Sequence, residues 1–236
     1  MKSIFHRAVR LKDILFASGI GLYLGIGLAL SVLSLWLFWS VAEDVLEGDS
    51  IVLFDTALAQ ILHSQATPLS TNAYLIISWF GSQGIIVLSI VFAAFYTRRR
   101  RWLNFTIGLI TLGGGTLLNH LIKQVVMRPR PIFANPLALE QSYSFPSAHA
   151  MMSLIAYGLI GYLLWSATRN RYAKIFIVFG AVLFILLIGI SRLTLGVHYF
   201  SDVVGGFAAG ALWLGICISA ISFLKRHPTL PDSLDL

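Results

Sequence analysis

Six stretches of this chain are long and apolar enough to cross a bilayer, and they limit the possible fold more than any other feature. They cover residues 14–42, 73–96, 102–122, 147–166, 175–195 and 203–224. The hydrocarbon core of a bilayer is about 30 Å thick, which roughly 20 helical residues span. Only 11% of the residues are charged, against about 25% in soluble domains. The sequence therefore predicts an all-α, polytopic membrane protein, with six transmembrane helices in one bundle and a single domain over residues 1–236.

The basic residues are divided unequally between the two sides of such a bundle. One side carries most of the 17 lysines and arginines: Lys2, Arg7, Arg10, Lys12, Arg98, Arg99, Arg100, Arg101, Arg169, Arg171, Lys174, Lys225 and Arg226. Cytoplasmic loops carry such an excess of basic residues. We therefore expect a multi-pass protein of the plasma (inner) membrane with both termini cytoplasmic. The net charge of +7 then reflects topology, and no nucleic-acid partner is expected.

The first loop on the opposite side contains an amphipathic segment at residues 50–65. Its apolar side chains approximate one helical stripe, formed by Val52, Leu53, Leu58, Ile61 and Leu62. This pattern predicts an amphipathic helix that lies in the membrane interface. Asp55 and His63, which fall within it, are expected to be solvated polar positions.

Two further stretches on this outer side place polar residues next to the ends of membrane segments. The first, KQVVMRPRPIFANP at 123–136, contains prolines that end the third helix and stiffen an extended connection. The second places Ser147 and His149 at the start of the fourth helix, where Ser147 is a natural N-cap. A helix N-terminus has free N–H groups and a partial positive charge, so it is suited to bind an anion. Ordinary capping without a ligand explains these two residues equally well.

The third stretch, SRLTLGVHYFSD at 191–202, places three ionisable residues at the end of a membrane segment, where charges are energetically costly. His198 and Asp202 are four residues apart, so a helix would put them on one face. A carboxylate on one imidazole nitrogen fixes the tautomer and leaves the other nitrogen free as a nucleophile or base. Together with Lys123 and Arg130, Arg192 would supply positive charge that suits a phosphate.

A metal site is the competing interpretation, because two histidines and an aspartate could ligate zinc. The surrounding cations argue against it, since Lys123, Arg130 and Arg192 would repel a divalent ion and already supply the charge that a metal would bring to phosphate. We therefore expect neither a metal nor another cofactor. His149 would then be available to give a proton to a leaving oxygen.

These motifs, in this order, resemble the type-2 phosphatidic acid phosphatase superfamily. The resemblance is carried by Lys-x6-Arg-Pro at 123–131, Pro-Ser-x-His at 146–149 and Ser-Arg-x5-His-x3-Asp at 191–202. The superfamily includes lipid phosphate phosphatases, bacterial phosphatidylglycerophosphatase B and undecaprenyl pyrophosphate phosphatases. The resemblance implies a membrane-embedded phosphatase that needs no metal and acts on a lipid phosphate or pyrophosphate. Phosphatidic acid, phosphatidylglycerol phosphate and polyprenyl pyrophosphate are the candidate substrates.

The resemblance also implies a role for each motif residue. His198 would attack phosphorus and carry a phosphohistidine intermediate, Asp202 would orient it, and His149 would protonate the leaving group. The phosphoryl oxygens would be held by Lys123, Arg130, Ser147 and Arg192. The active site would lie on the extracytoplasmic side, at the surface of the bilayer that holds the lipid substrate.

One motif position departs from the family pattern, and two neighbouring residues lie outside the signature positions. The superfamily commonly has Pro-Ser-Gly-His, whereas this chain has Ala148, which resists a positive φ but costs little in a helix. Arg128 matches no signature position and is expected either to contact a headgroup or to be a simple interfacial charge. His120 is expected to be a histidine packed between helices.

Two alternatives to a hydrolase stay open at this point. A phosphotransferase would use the same phosphohistidine and pass the phosphoryl group to an acceptor other than water. A non-catalytic binder or transporter of lipid phosphates would need the cations but not the His198–Asp202 pair. The sequence gives no indication of the oligomeric state.

Overall fold

The described part of the chain, residues 20–48 and 50–224 of a computed structural model, consists of eight α-helices and their connections. In chain order, α1 to α8 are Ile20–Glu47, Ser50–Ser64, Pro68–Trp79, Gln83–Arg98, Trp102–Val126, Ala148–Ala167, Arg171–Thr194 and Phe200–Leu224. The long connection between α5 and α6 contains the prolines of the 123–136 stretch, and helix α5 ends before them as expected.

Six stretches of the described residues are long and apolar enough to cross a membrane: Gly27–Glu47, Pro68–Arg98, Trp102–Val126, Ala148–Ala167, Arg171–Thr194 and Phe200–Ser222. Each corresponds to one of the segments predicted from hydropathy, so the prediction of an all-helical protein with six transmembrane segments is confirmed. Residues 14–19 of the first predicted segment lie outside the described part.

The second transmembrane segment differs from the single helix expected over residues 73–96. It consists of α3 and α4, which are separated by a break at residues 80–82. The hydroxyl of Tyr157 donates to the backbone oxygen of Phe80 at 2.7 Å, so a carbonyl at the break is satisfied within the protein, as a membrane requires. A Cβ on Gly81 would lie 2.9 Å from the ring of His149. The break therefore brings backbone against a motif histidine, which hydropathy cannot reveal.

Helix α8 packs against α1 and α6, and α6 also packs against α7. The contact between α6 and α8 is close because glycine replaces larger side chains there. A Cβ on Gly206 would lie 2.7 Å from the backbone oxygen of Ser147, and one on Gly210 would lie 2.8 Å from that of Met151. This approach holds the first turns of α6 and α8 side by side, and these turns carry the second and third motifs.

The predicted amphipathic helix is present as α2, but the expectation that Asp55 and His63 are solvated polar positions was wrong. Asp55 is completely buried, and the ring of His63 is stacked on Phe133 with centroids 3.9 Å apart. Both positions are covered because α2 contacts α7 and α8. One face of the helix therefore lies on the bundle.

Candidate active site

The three sequence motifs meet at one end of the bundle. The backbone N–H of Ser147 donates to the backbone oxygen of Asp202 at 2.9 Å, which joins the second motif to the third. Arg130 from the first motif donates to the backbone oxygen of Val197 at 2.6 Å. His149 lies within electrostatic range of Lys123, Arg130, Arg192 and His198. The structure thus brings together the residues that the sequence singled out, although they come from positions 123 to 202.

The C-terminal cap of α7 determines where His198 lies. Gly196 has a φ of 68°, a left-handed conformation that glycine adopts without a Cβ penalty. The backbone N–H of Gly196 donates to the backbone oxygen of Leu193 at 3.0 Å. The backbone N–H of Val197 donates to the backbone oxygen of Arg192 at 3.3 Å. This pair of bonds is a Schellman motif, which ends a helix and turns the chain sharply. His198 follows directly and is thereby placed near Arg192.

The contact between His198 and Asp202 exists, but the two residues do not share a helix as the spacing suggested. Helix α8 begins at Phe200, so His198 precedes it and Asp202 is its third residue. The carboxylate accepts from the backbone N–H of Tyr199 at 2.8 Å, as an acidic residue in the first turn does when it caps a helix. From this position it lies 3.3 Å from Nδ1 of His198.

Both carboxylate oxygens of Asp202 have hydrogen-bond or ion-pair partners. Besides Tyr199 and His198, its Oδ2 accepts a short hydrogen bond from the hydroxyl of Ser144, and its Oδ1 lies 2.6 Å from Arg128. The side chain is fully buried. Such a carboxylate is held in one orientation, so it can fix the orientation of the imidazole that it contacts.

The imidazole of His198 is buried and faces a cation on its free side. Its Nε2, the nitrogen directed away from Asp202, lies 3.1 Å from Nη1 of Arg130. Burial lowers the pKa of His198 to about 3, because desolvation outweighs the attraction of Asp202. The ring is therefore neutral at physiological pH. With Nδ1 bound to the carboxylate, its lone pair is on Nε2.

Arg192 is the second cation of the site. Its guanidinium donates to the hydroxyl of Ser78 on α3 and forms an ion pair with Glu140 at 2.5 Å. Its buried Nε has no hydrogen-bond partner among the described residues. A buried donor without a partner is costly, so this nitrogen is available to an anionic ligand. Glu140, a carboxylate on the loop between α5 and α6, occupies part of the space that such a ligand would need.

Lys123 and Arg130 are held by the same loop. The ammonium of Lys123 donates to the backbone oxygens of Tyr143 and Ser144. Arg130 donates through Nε to the backbone oxygen of Ser142 at 2.6 Å. A cavity of about 630 Å³ opens beside both cations and is also lined by Glu140 and Tyr143. The cations are thus oriented by backbone carbonyls and border a space large enough for a lipid headgroup.

The start of α6 has the geometry predicted for an anion site. Ser147 is the N-cap and its hydroxyl accepts from the N–H of Ala150 at 3.4 Å. Ala148 is the first residue of the helix and is absent from the described non-glycine residues with positive φ. The alanine that replaces the usual glycine is therefore in a helical conformation that it adopts readily. His149 follows in the first turn and is half-buried.

Two expectations about neighbouring residues were wrong. Arg128 is neither a headgroup contact nor a simple interfacial charge, because it is buried between Asp55 and Asp202 at 2.8 and 2.6 Å. The expected packed histidine, His120, is exposed on α5 and lines the cavity beside Lys123. Arg128 could have been found from the sequence: side chains two apart in an extended chain point the same way, so Arg128 and Arg130 were candidates to face one site.

Three more residues of the site had no signal in the sequence. Ser144 and Glu140, on the loop between α5 and α6, contact Asp202 and Arg192, and Ser78 on α3 contacts Arg192. Each is an ordinary polar residue that lies more than 50 positions from its partner in the chain. Only the fold brings them to the site. No group of three or more His, Cys, Asp or Glu side chains within residues 20–48 and 50–224 is placed to hold a metal ion.

Sequence comparison assigns the chain to a family. The model of the PAP2 superfamily matches residues 103–226, and the chain belongs to this superfamily. It is 31% identical over 183 residues to phosphatidylglycerophosphatase B of Bacillus subtilis (strain 168), covering 76% of this chain and 89% of that protein. It is 35% identical over 184 residues to decaprenylphosphoryl-5-phosphoribose phosphatase of Mycobacterium tuberculosis (strain H37Rv), covering 72% and 89%.

A solved structure has the same fold. The crystal structure of a transmembrane PAP2-type phosphatidylglycerolphosphate phosphatase from Bacillus subtilis superposes with a TM-score of 0.75 at 29% identity. The match covers 83% of this chain and 98% of that chain. The protein is therefore a multi-pass membrane protein whose homologues are lipid phosphatases.

Proposed function

We propose that this protein is a metal-independent lipid phosphatase that hydrolyses a lipid phosphate or pyrophosphate through a phosphohistidine on His198. The observation that carries the proposal is the environment of that ring. Nδ1 is bound by a buried carboxylate, and Nε2, which carries the lone pair, accepts from Nη1 of Arg130 at 3.1 Å. An incoming phosphoryl oxygen would take over this donor and release the lone pair for attack. Arg130, Lys123 and Arg192 surround the space where a phosphoryl group would meet this nitrogen. A binding protein would need the cations but not an oriented, neutral imidazole.

The reaction proceeds in two displacements. In the first, the Nε2 lone pair of His198 forms a bond to phosphorus while the bond from phosphorus to the lipid oxygen breaks, and His149 gives that oxygen a proton. In the second, water attacks phosphorus, the P–N bond breaks and His149 takes a proton from the water. Arg130, Arg192 and Lys123 hold the equatorial oxygens, whose positioning and neutralisation account for most of the catalysis in phosphoryl transfer.

Substrate binding requires an exchange of anions at Arg192. The guanidinium is paired with Glu140, so an incoming phosphate replaces that carboxylate and also takes the Nε that lacks a partner among the described residues. Both oxygens of Asp202 have cationic or hydrogen-bond partners, which leaves this carboxylate poorly suited to ligate a metal. The positive charge that the reaction needs therefore comes from side chains.

The lipids implied by the superfamily resemblance define the substrates to test, and one of them matches the name of the homologous phosphatidylglycerophosphatase B. We expect the purified protein to release inorganic phosphate from at least one of phosphatidic acid, phosphatidylglycerol phosphate and undecaprenyl pyrophosphate, and to retain its rate in excess EDTA. Release of inorganic phosphate also separates a hydrolase from a phosphotransferase, which would yield a phosphorylated acceptor. Loss of activity in EDTA with recovery on adding a divalent metal would contradict the mechanism. Tight binding of these lipids without phosphate release would favour a binding protein.

The site is proposed to face the extracytoplasmic side of the plasma membrane, and cysteine labelling tests this orientation. Single cysteines are introduced in a Cys217→Ala background, which removes the native thiol. Asn135→Cys places a cysteine on the exposed loop beside the site, and Arg169→Cys places one on the exposed connection between α6 and α7. We expect an impermeant maleimide to label the first but not the second in intact cells, and to label both after permeabilisation. The opposite pattern in intact cells, or equal labelling of both, would overturn the orientation.

A further inference from the structure

We propose that Arg128 and Asp55 position the catalytic carboxylate, so that the amphipathic helix α2 is part of the apparatus that orients His198. The inference rests on the proposed role of His198 as the nucleophile. It extends the His198–Asp202 pair to a chain of four residues that begins on α2 and ends at the reacting nitrogen. Neither Arg128 nor Asp55 touches the phosphate in this arrangement, so both are positioning residues.

The guanidinium of Arg128 joins two carboxylates. One nitrogen, Nη1, lies 2.6 Å from Oδ1 of Asp202, and the other, Nη2, lies 2.8 Å from Oδ2 of Asp55. A guanidinium is a rigid planar fork, so holding one end against α2 fixes the position of the other. The bond to Oδ1 of Asp202 leaves Oδ2 directed at Nδ1 of His198. Rotation of the carboxylate would break both contacts.

Asp55 is in turn fixed by the helix that carries Asp202. Its Oδ1 accepts from the backbone N–H of Ser201 at 3.0 Å, and its Oδ2 accepts from the Ser201 hydroxyl. That serine also accepts from Nη1 of Arg128 at 2.7 Å. The cation is further held over the ring of Tyr199, 4.3 Å from its centroid. The network therefore closes on the first turn of α8, next to the carboxylate that it orients.

The charges explain why both residues are needed. Arg128 has 7% of its side chain exposed and both carboxylates have none. A buried cation paired only with Asp202 would compete with His198 for the negative charge of that carboxylate. The second carboxylate, Asp55, balances Arg128, so that Asp202 keeps charge to share with the imidazole. An unpaired buried charge is strongly unfavourable, which is a further reason for the pair to be present together.

A merely structural clamp between α2 and the bundle predicts different kinetics. Its loss would lower the midpoint of thermal unfolding and the fraction of active protein, but each folded molecule would turn over normally. A positioning role predicts that kcat and kcat/KM fall together while KM stays nearly constant, because only the transition state is affected. A positioning role also predicts that removal of Arg128 lowers kcat less when Asp202 has already been replaced.

The test is a double-mutant cycle measured on the full-length protein with a substrate that the wild type hydrolyses. We expect Arg128→Met to lower kcat by about tenfold or more in the wild type, but by less than about twofold in the Asp202→Asn background, because groups that act through one contact are not additive. Equal fold-losses in the two backgrounds would overturn the proposal. Such a result would leave the proposed phosphatase function intact, since that function is tested by His198 and not by Arg128.

Three further variants guard against misfolding and general charge effects. Arg128→Met with Asp55→Asn removes one positive and one negative charge together, so the net charge of the buried group stays as in the wild type if the single variant does not fold. It should show the same dependence on Asp202. Arg128→Lys, whose point charge cannot bridge both carboxylates, should recover activity only in part. Glu47→Gln removes an exposed acidic charge just before α2 and should leave kcat unchanged. Wild-type kcat in the folded double variant would also overturn the proposal.

Discussion

Replacing His198 with alanine is expected to lower turnover by at least about 10,000-fold, because removal of a nucleophile from a catalytic unit has effects of this size or larger. The described residues near the cations offer no second imidazole with a carboxylate on one nitrogen and its lone pair directed at a cation on the other. His149 lacks such a partner and lies at the start of α6. The measurement is the rate of phosphate release from the best lipid substrate of the panel.

The control for this variant is phosphate binding. Lys123, Arg130 and Arg192 do not depend on His198 for their hydrogen bonds to the loop and to α3, so the cationic pocket should persist. Inorganic phosphate should therefore still raise the midpoint of thermal unfolding, as a ligand of the folded state does. Substantial turnover in a variant that binds phosphate normally would show that another group attacks phosphorus.

The second large effect is expected from His149→Ala, and its size should depend on the leaving group. A lipid alkoxide leaves poorly without a proton, so turnover of a lipid monophosphate should fall by about 100- to 10,000-fold, the usual contribution of a general acid. The nitrophenolate ion of a nitrophenyl phosphate leaves phosphorus without protonation, so the first displacement of this substrate should be much less affected. The comparison is made with single-turnover rates for the two substrates.

The informative quantity is the fold-loss of rate for the lipid monophosphate divided by the fold-loss for the nitrophenyl phosphate. If His149 only shaped the pocket or held the phosphate, both substrates would lose rate by the same factor. A matched comparison is His149→Gln, which keeps a polar side chain in the first turn of α6 but cannot give up a proton. An equal loss for both leaving groups in both variants would remove His149 from the role of general acid.

Much of the fold could be predicted because the bilayer imposes strong rules on composition. The six membrane segments followed from hydropathy and length. The end of α5 followed from the prolines, and the start of α6 followed from Ser147. The break between α3 and α4 could not be predicted. Its carbonyl at Phe80 is satisfied by Tyr157, which is 77 residues away in the chain, and nothing in the local sequence indicates that partner.

The candidate site could be predicted where ionisable residues lie in places that a membrane protein disfavours. Arg192, His198 and Asp202 stood out because they lie at the end of a membrane segment, and Lys123 and Arg130 because they are cations on the side that carries few basic residues. Asp55 did not, since an aspartate on an amphipathic helix is usually solvated, and its burial depends on Arg128 at a separation of 73 residues. Glu140 is likewise an ordinary loop residue until the fold brings it to Arg192.

The most direct test of the account is to trap the phosphorylated enzyme and identify the modified atom. Enzyme mixed with a ³²P-labelled substrate is quenched in base, digested and mapped, with His149→Ala included because its second displacement should be slow. We expect acid-labile label on His198, attached to Nε2, since Nδ1 is bound by Asp202 at 3.3 Å. Label on any other side chain, or turnover without a labelled enzyme in both proteins, would contradict it.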